Sequence, residues 1–167
     1  VVISSILLPI YKFFRNYGMA SAEKKIYFLS DFHLGAPTPE ASRVREKKII
    51  SFLTSIQSGA EEIFILGDLF DFWFEYKYVV PKGFVRILGK MAELSDAGIK
   101  IHFFVGNHDM WMKDYFQQEL NIDVYFNHKQ FIYNDKKFLI GLRLQILSGI
   151  FFKDHFHSCY FFIFYNI

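Results

Sequence analysis

Two hydrophobic periods alternate along this chain, and each change of period marks an element boundary. Three apolar runs, Ile26-Tyr27-Phe28-Leu29, Ile63-Phe64-Ile65-Leu66 and Ile101-His102-Phe103-Phe104-Val105, are rich in β-branched and aromatic residues and too short for helices. They predict buried parallel strands. Between the first two, Ile49, Phe52, Leu53 and Ile56 recur on one helical face. Thr38 can cap that segment, Pro39 suits its first turn and Gly59 its stop, which predicts a helix over 39–58. Between the second and third runs, Phe84, Ile87, Leu88, Met91 and Leu94 repeat in the same way before Gly98, which predicts a helix over 84–97. The order strand, helix, strand, helix, strand (βαβαβ) gives an α/β fold with crossover helices. Ligands of such a sheet sit beyond the carboxyl ends of its strands.

Each strand closes on a polar motif at that edge: Asp31-Phe32-His33, Gly67-Asp68-Leu69-Phe70-Asp71 and Gly106-Asn107-His108-Asp109. Asp31 to Asp68 is 37 positions and Asp68 to Asn107 is 39, each about one βαβ unit. Taken singly, Asp68 could cap a helix and Gly106-Asn107 could form a turn. Taken jointly, at strand ends and at even spacing, the motifs favour one site.

Asp31 and His33 are two residues apart and point the same way, so an oxygen and an imidazole nitrogen can grip one metal ion. Asp68 can place one carboxylate oxygen on each of two ions, and Asn107 offers the second a neutral carbonyl oxygen. This mixed set suits manganese, iron or zinc better than calcium, and the sole Cys159 excludes a thiolate cage. Two ions about 3.5 to 4 Å apart can supply a nucleophile and clamp phosphate oxygens for in-line displacement. His108 is then placed to contact the phosphate or protonate the leaving group. Asp71 and Asp109 are assigned to orienting ligands and imidazoles through hydrogen bonds. His102, inside a strand, and His128, before an expected edge strand, are read as structural.

The pattern D-x-H, G-D-x-x-D, G-N-H-D resembles the calcineurin-like metallophosphoesterases over roughly residues 24–141. Tyr27 to Gly35, Leu66 to Tyr76 and Gly106 to Trp111 are similar to the UDP-2,3-diacylglucosamine hydrolases of lipid A synthesis. The resemblance implies a β-sandwich flanked by helices and two divalent ions, usually manganese. It also implies cleavage of the pyrophosphate of UDP-2,3-diacylglucosamine into UMP and the lipid 1-phosphate. A nucleotide-lipid substrate implies a cytoplasmic protein, peripheral on the inner face of the bacterial inner membrane. The alternatives are another metallophosphoesterase, acting as phosphodiesterase or phosphatase, and an inactive fragment.

The segment from Phe70 to Tyr78 holds Phe70, Phe72, Trp73, Phe74, Tyr76 and Tyr78. Alternation would bury half of them, and the rest could form a greasy wall for acyl chains or a membrane surface. Arg43, Arg45, Lys47 and Lys48 on the first helix, and Lys77, Lys82, Arg86 and Lys90 around the second, either attract an anionic headgroup or form solvated faces. A formal net charge of only +2 gives no indication of nucleic-acid binding.

The 167 residues allow one domain, expected over 19–141. Val1 to Ile10 is too short to span a membrane, and Lys12 and Arg15 follow it rather than precede it as in a signal peptide. Residues 1–18 are therefore expected to lie upstream of a natural start at Met19. Residues 142–167 are Phe-rich and lack strand alternation or a helical stripe. Leu142-Arg143-Leu144 stands where the resemblance calls for His-Gly-Asp, and Asp154-His155-Phe156-His157 imitates a final Gly-His-x-His. This tail is expected to be out of frame or replaced, leaving Asp31, His33 and Asp68 for the first ion and Asp68 and Asn107 for the second. The sheet is expected to lack the second layer that covers its far face. The expected start is checked by intact mass of the native protein, which should begin at Met19; a mass that includes Val1 would reject it.

Overall fold

The three apolar runs lie side by side as parallel strands, β1 (Lys25–Leu29), β2 (Ala60–Leu66) and β3 (Lys100–Phe104), with β2 in the middle. The structure, a computed structural model, describes residues 24–141 and the backbone of Phe164–Tyr165. The expectations for 1–18, Leu142-Arg143-Leu144, His155 and His157 lie outside the described residues.

Helix α1 (Pro39–Ile56) joins β1 to β2, and the Thr38 hydroxyl accepts a hydrogen bond from the Ala41 N–H at 3.2 Å, the cap expected of it. The helix ends at Ile56 rather than 58, passing into a 3-10 turn at Gln57–Gly59. Helix α2 (Val85–Asp96) joins β2 to β3 within a residue of the expected bounds. Buried Glu46 of α1 accepts from the Ile87 N–H in the first turn of α2 at 3.2 Å, satisfying an amide that the helix itself cannot.

Within residues 24–141 a short helix and a short strand escaped the sequence reading, as did the strand at Phe164–Tyr165 in a tail read as lacking strand pattern. Helix α3 (Tyr115–Leu120) has only six residues, and β4 (Asp123–Tyr125), parallel to β3, has only three. Left-handed Asn121, at φ 53°, ends α3 and turns the chain into β4.

Strand alternation sorts the core into two layers. Leu29, Ile63, Ile65, Ile101 and Phe103 point toward Ile49, Leu53, Ile87, Met91 and Leu94 of the helices. The opposite set, Phe28, Phe64, Leu66 and Phe104, packs against Phe138 and Ile140, with Phe131 and Tyr133 at the margin. These four belong to a hairpin of β5 (Lys129–Tyr133) and β6 (Lys136–Ile140), with β7 (Phe164–Tyr165) paired along β6. The hairpin turns through Asn134 and Asp135, at φ 49° and 63°, the left-handed conformation that Asn and Asp tolerate. The expectation of an uncovered far face is therefore corrected. Phe131, Phe138 and Ile140 form a second layer, with the Phe131 ring edge-on to Phe64 at 5.0 Å. Burial of each such side chain contributes roughly 1.5–3 kcal/mol.

His102 is buried between these sheets, as a strand histidine was expected to be. Its Nε2–H donates to Glu62 at 3.1 Å, and its Nδ1 lies 3.1 Å from the Tyr125 hydroxyl. The Tyr133 hydroxyl donates to the same Glu62 oxygen at 2.5 Å, tying the hairpin to β2. His128 is exposed, just before β5. Among the described residues no helix is long and apolar enough to cross a membrane.

Burial pushes the His102 imidazole below its ordinary 6.5, against the opposing pull of Glu62. The unfolded chain then binds more protons than the folded one as pH falls, so this stability is complete above about pH 6.5 and is lost on acidification. The urea midpoint should fall between about pH 7.5 and about pH 5.5, with a shallower fall in His102→Gln. An identical slope in the variant would assign the effect to other groups.

Candidate metal centre

Because Leu29 pairs with Ile65, the loops that leave β1 and β2 emerge together. They then zip by backbone hydrogen bonds. The N–H groups of Phe32 and His33 both donate to the Asp68 carbonyl at 2.9 Å, Leu34 N–H donates to Leu69, and Asp71 N–H donates back to Leu34, also at 2.9 Å. Within this zipper Asp31, His33 and Asp68 take left-handed φ values of 58°, 44° and 53°. L-residues avoid that region at a cost of roughly 1–3 kcal/mol each, and such strain concentrates where function requires it.

The strained residues converge. Asp31, His33 and Asp68 each offer a ligand atom, and these atoms lie within 4.8 Å of one another. Two carboxylates and an imidazole form an oxygen and nitrogen donor set that fits a divalent transition ion. A second group, His33, Asp71 and His108, meets the same distance limit. Its centre is Asp71, whose Oδ1 is 3.5 Å from His33 Nδ1 and 3.6 Å from His108 Nδ1. His108 Nδ1–H also donates to the Asp71 carbonyl at 2.9 Å, which turns Nε2 away from that contact. The two imidazoles meet edge to face with centroids 4.7 Å apart.

The third motif is locked to the second from beneath. Asp109 is fully buried and accepts from Gly106 N–H at 2.6 Å and Leu69 N–H at 3.1 Å. Burial pushes its carboxyl up to about 7, with the Asp68 charge adding to the rise and the amide donors opposing it. Asp68 Oδ1 accepts the His108 N–H at 3.0 Å. Exposed Asn107 stands between Gly106 and His108 at this junction. Gly106 itself leaves no space, since a Cβ there would strike the Asp68 carboxylate and come within 2.6 Å of the Asp68 amide nitrogen.

A model of the calcineurin-like phosphoesterase family matches residues 24–163. The chain belongs to the calcineurin-like phosphoesterase family. A UDP-2,3-diacylglucosamine hydrolase of Porphyromonas gingivalis is 52% identical over 101 residues, which are 60% of this chain and 38% of that protein. A UDP-2,3-diacylglucosamine hydrolase of Haemophilus influenzae is 32% identical over 120 residues, 70% of this chain and 47% of its own. One of Neisseria meningitidis serogroup B is 38% identical over 87 residues, 52% of this chain and 34% of its own. The chain thus spans less than half the length of each. Membership in this hydrolase family implies a divalent metal, for which Asp31, His33 and Asp68 supply donors.

Around this family site, residues 72–76 alternate. Trp73 and Glu75 are buried, while Phe72, Phe74 and Tyr76 are exposed. Phe70 is buried too, and Tyr78 is fully exposed. Exposed Trp111 joins the outer row, its ring 5.6 Å from Phe72, with Met110 beside it. Glu75 is a site-supporting residue that local sequence did not reveal. Its Oε1 accepts the Trp73 indole N–H at 2.9 Å, and its Oε2 accepts the N–H groups of Asp114 and Tyr115 at 3.0 and 3.1 Å. Two of the basic residues fit neither reading given to them. Arg45 donates to three backbone carbonyls, and buried Lys90 donates to Gln57 at 2.7 Å and Glu93 at 2.8 Å.

Two glycines give opposite expectations. Gly106→Ala forces Asp68 aside and should destabilise the fold by about 1–3 kcal/mol. Gly89→Ala, in the middle of α2 with nothing within 4 Å, should stabilise by about 0.5–1 kcal/mol. Thermal midpoints of the two variants check this, and a harmless Gly106→Ala would contradict the packing.

Proposed function

We propose that this chain serves the metal-dependent cleavage of the pyrophosphate in UDP-2,3-diacylglucosamine, giving UMP and 2,3-diacylglucosamine 1-phosphate. One observation carries the chemistry: Asp31, His33 and Asp68, all in strained backbone, gather their donor atoms within 4.8 Å at the carboxyl edge of a parallel sheet. The substrate reading is supported by the relatives named for that hydrolase and by the aromatic row beside the site.

In this reading Asp31, His33 and Asp68 hold a first divalent ion, and Asp68 and Asn107 take part in holding a second, with manganese favoured over iron or zinc. Such ions supply positive charge against phosphate oxygens and lower the pKa of water. Asp71 orients the imidazoles of His33 and His108. His108, its Nδ1–H committed to the Asp71 carbonyl, uses Nε2 to contact the phosphate or to protonate the departing oxygen. Asp109 holds the Gly106 and Leu69 amides so that Asn107 and Asp68 stay in register. Phe72, Phe74, Tyr76 and Trp111, flanked by Lys77 and Lys113, face acyl chains or the anionic cytoplasmic surface of the inner membrane.

A second reading, an inactive form, is favoured by Leu142-Arg143-Leu144 standing in place of His-Gly-Asp. Release of UMP from UDP-2,3-diacylglucosamine separates the two. Manganese-dependent turnover that exceeds turnover of an aryl phosphodiester, and that falls at least about 100-fold in Asp68→Asn, is expected of the enzyme. Manganese binding without UMP release would establish the inactive form. Total inactivity with weak or absent manganese binding would likewise support the inactive form and overturn the enzyme.

A further inference from the structure

The loop that carries Asp31 and His33 has backbone contacts on two sides. The amides of Phe32, His33 and Leu34 face β2's loop in the zipper already described, whereas the carbonyls of Phe32, His33 and Ala36 face α1. These three carbonyls converge on one point. They do so because left-handed residues at 31 and 33 reverse the chain twice within a few positions. Converging carbonyl dipoles repel one another, and water satisfies them without holding them in place. Here a single atom meets all three: Arg45 Nη1 donates at 3.1, 2.8 and 3.1 Å. Ser42, one turn earlier on the same helix, accepts the Gly35 N–H through its hydroxyl at 2.8 Å. Helix α1 thus presents a donor and an acceptor, at i and i+3, to a single loop.

We infer that Arg45 is the positioning residue that presets the Asp31–His33 loop for a divalent cation. This inference rests on the metal-dependent reading above. Arg45's three hydrogen bonds go to backbone carbonyls, so it acts through the shape of the loop. Its charge acts against its service. A fixed positive charge close to a cation site repels the cation, so any gain in affinity comes from geometry alone.

That opposition makes the test discriminating. Charge alone predicts that Arg45→Met binds Mn2+ more tightly than the wild-type chain. Positioning predicts binding weaker by about tenfold to 100-fold, the range found when partners that orient metal ligands are removed. Arg45→Lys, which keeps the charge on a shorter stem, should lie between. Affinity is read from paramagnetic resonance titration with Mn2+ alone. Unchanged or tighter binding in Arg45→Met overturns the inference.

A second measurement uses no metal. Amide hydrogen exchange at Phe32, His33 and Leu34, whose N–H groups donate across the zipper, should accelerate by about tenfold in Arg45→Met while β2 and β3 amides stay protected. Exchange that rises equally throughout the sheet marks a merely global loss of stability and overturns the positioning role. If the wild-type chain binds no Mn2+, the metal-dependent reading fails, and unchanged exchange at these three amides would overturn the loop-presetting role separately.

Discussion

The hydrogen-bonded zipper between residues 32–34 and 68–71 is the constraint on which the site depends. It exists because β1 and β2 are parallel neighbours in a fixed register, Leu29 beside Ile65. A slip of β1 by one residue would turn Phe28 away from Phe64 toward the helices and separate Asp31 from Asp68. The zipper also makes the left-handed backbone at Asp31, His33 and Asp68 tolerable. Each of these conformations is unfavourable alone, and each is held by neighbours that would lose hydrogen bonds if it relaxed.

That rigidity is imposed from three directions. Asp109 grips the second and third motifs from below, Arg45 braces the first from the helix layer, and Glu75 ties the aromatic strip to the start of α3. Two of the three are buried carboxylates bound to backbone amides, Asp109 and Glu75. Burying an acid is unfavourable unless its oxygens are used, and here both oxygens of each acid accept hydrogen bonds. The apolar layers on either face of the sheet stabilise the frame within which these unfavourable groups persist.

The parts of this arrangement that sequence made legible are those with local signals. Strands β1 to β3 were visible as apolar runs, and α1 and α2 as helical stripes with a Thr38 cap. The candidate ligands were visible because each closes a strand. What stayed hidden is determined at long range. Helix α3 is too short to be stable by itself, and its first amides are satisfied by Glu75, some 40 positions earlier. Strand β4 exists because β3 offers an edge. The second layer was missed since Phe131, Tyr133, Phe138 and Ile140 reveal their shared face only after the hairpin folds. Arg45 looked like any surface arginine because its partners are backbone carbonyls, which leave no mark in side-chain identity.

The aromatic strip shows why parity matters more than composition. Had Phe72 to Tyr76 been a collapsed greasy loop, its aromatic rings would have competed for the interior. Instead the strip has strand-like alternation, with Phe74 bridged to Trp111, so Trp73 and Glu75 are buried and Phe72, Phe74 and Tyr76 are exposed. The inner row is stabilised by folding, through the Trp73 to Glu75 hydrogen bond and the stack of Trp73 on Phe70 with centroids 4.4 Å apart. The outer row gains nothing comparable from the fold. Contiguous exposed aromatic surface is unfavourable in water, and here it adjoins the loops of the candidate ligands on an element the core already holds rigid. Its position therefore follows from the strip's parity, while its chemistry follows from what the site must accommodate.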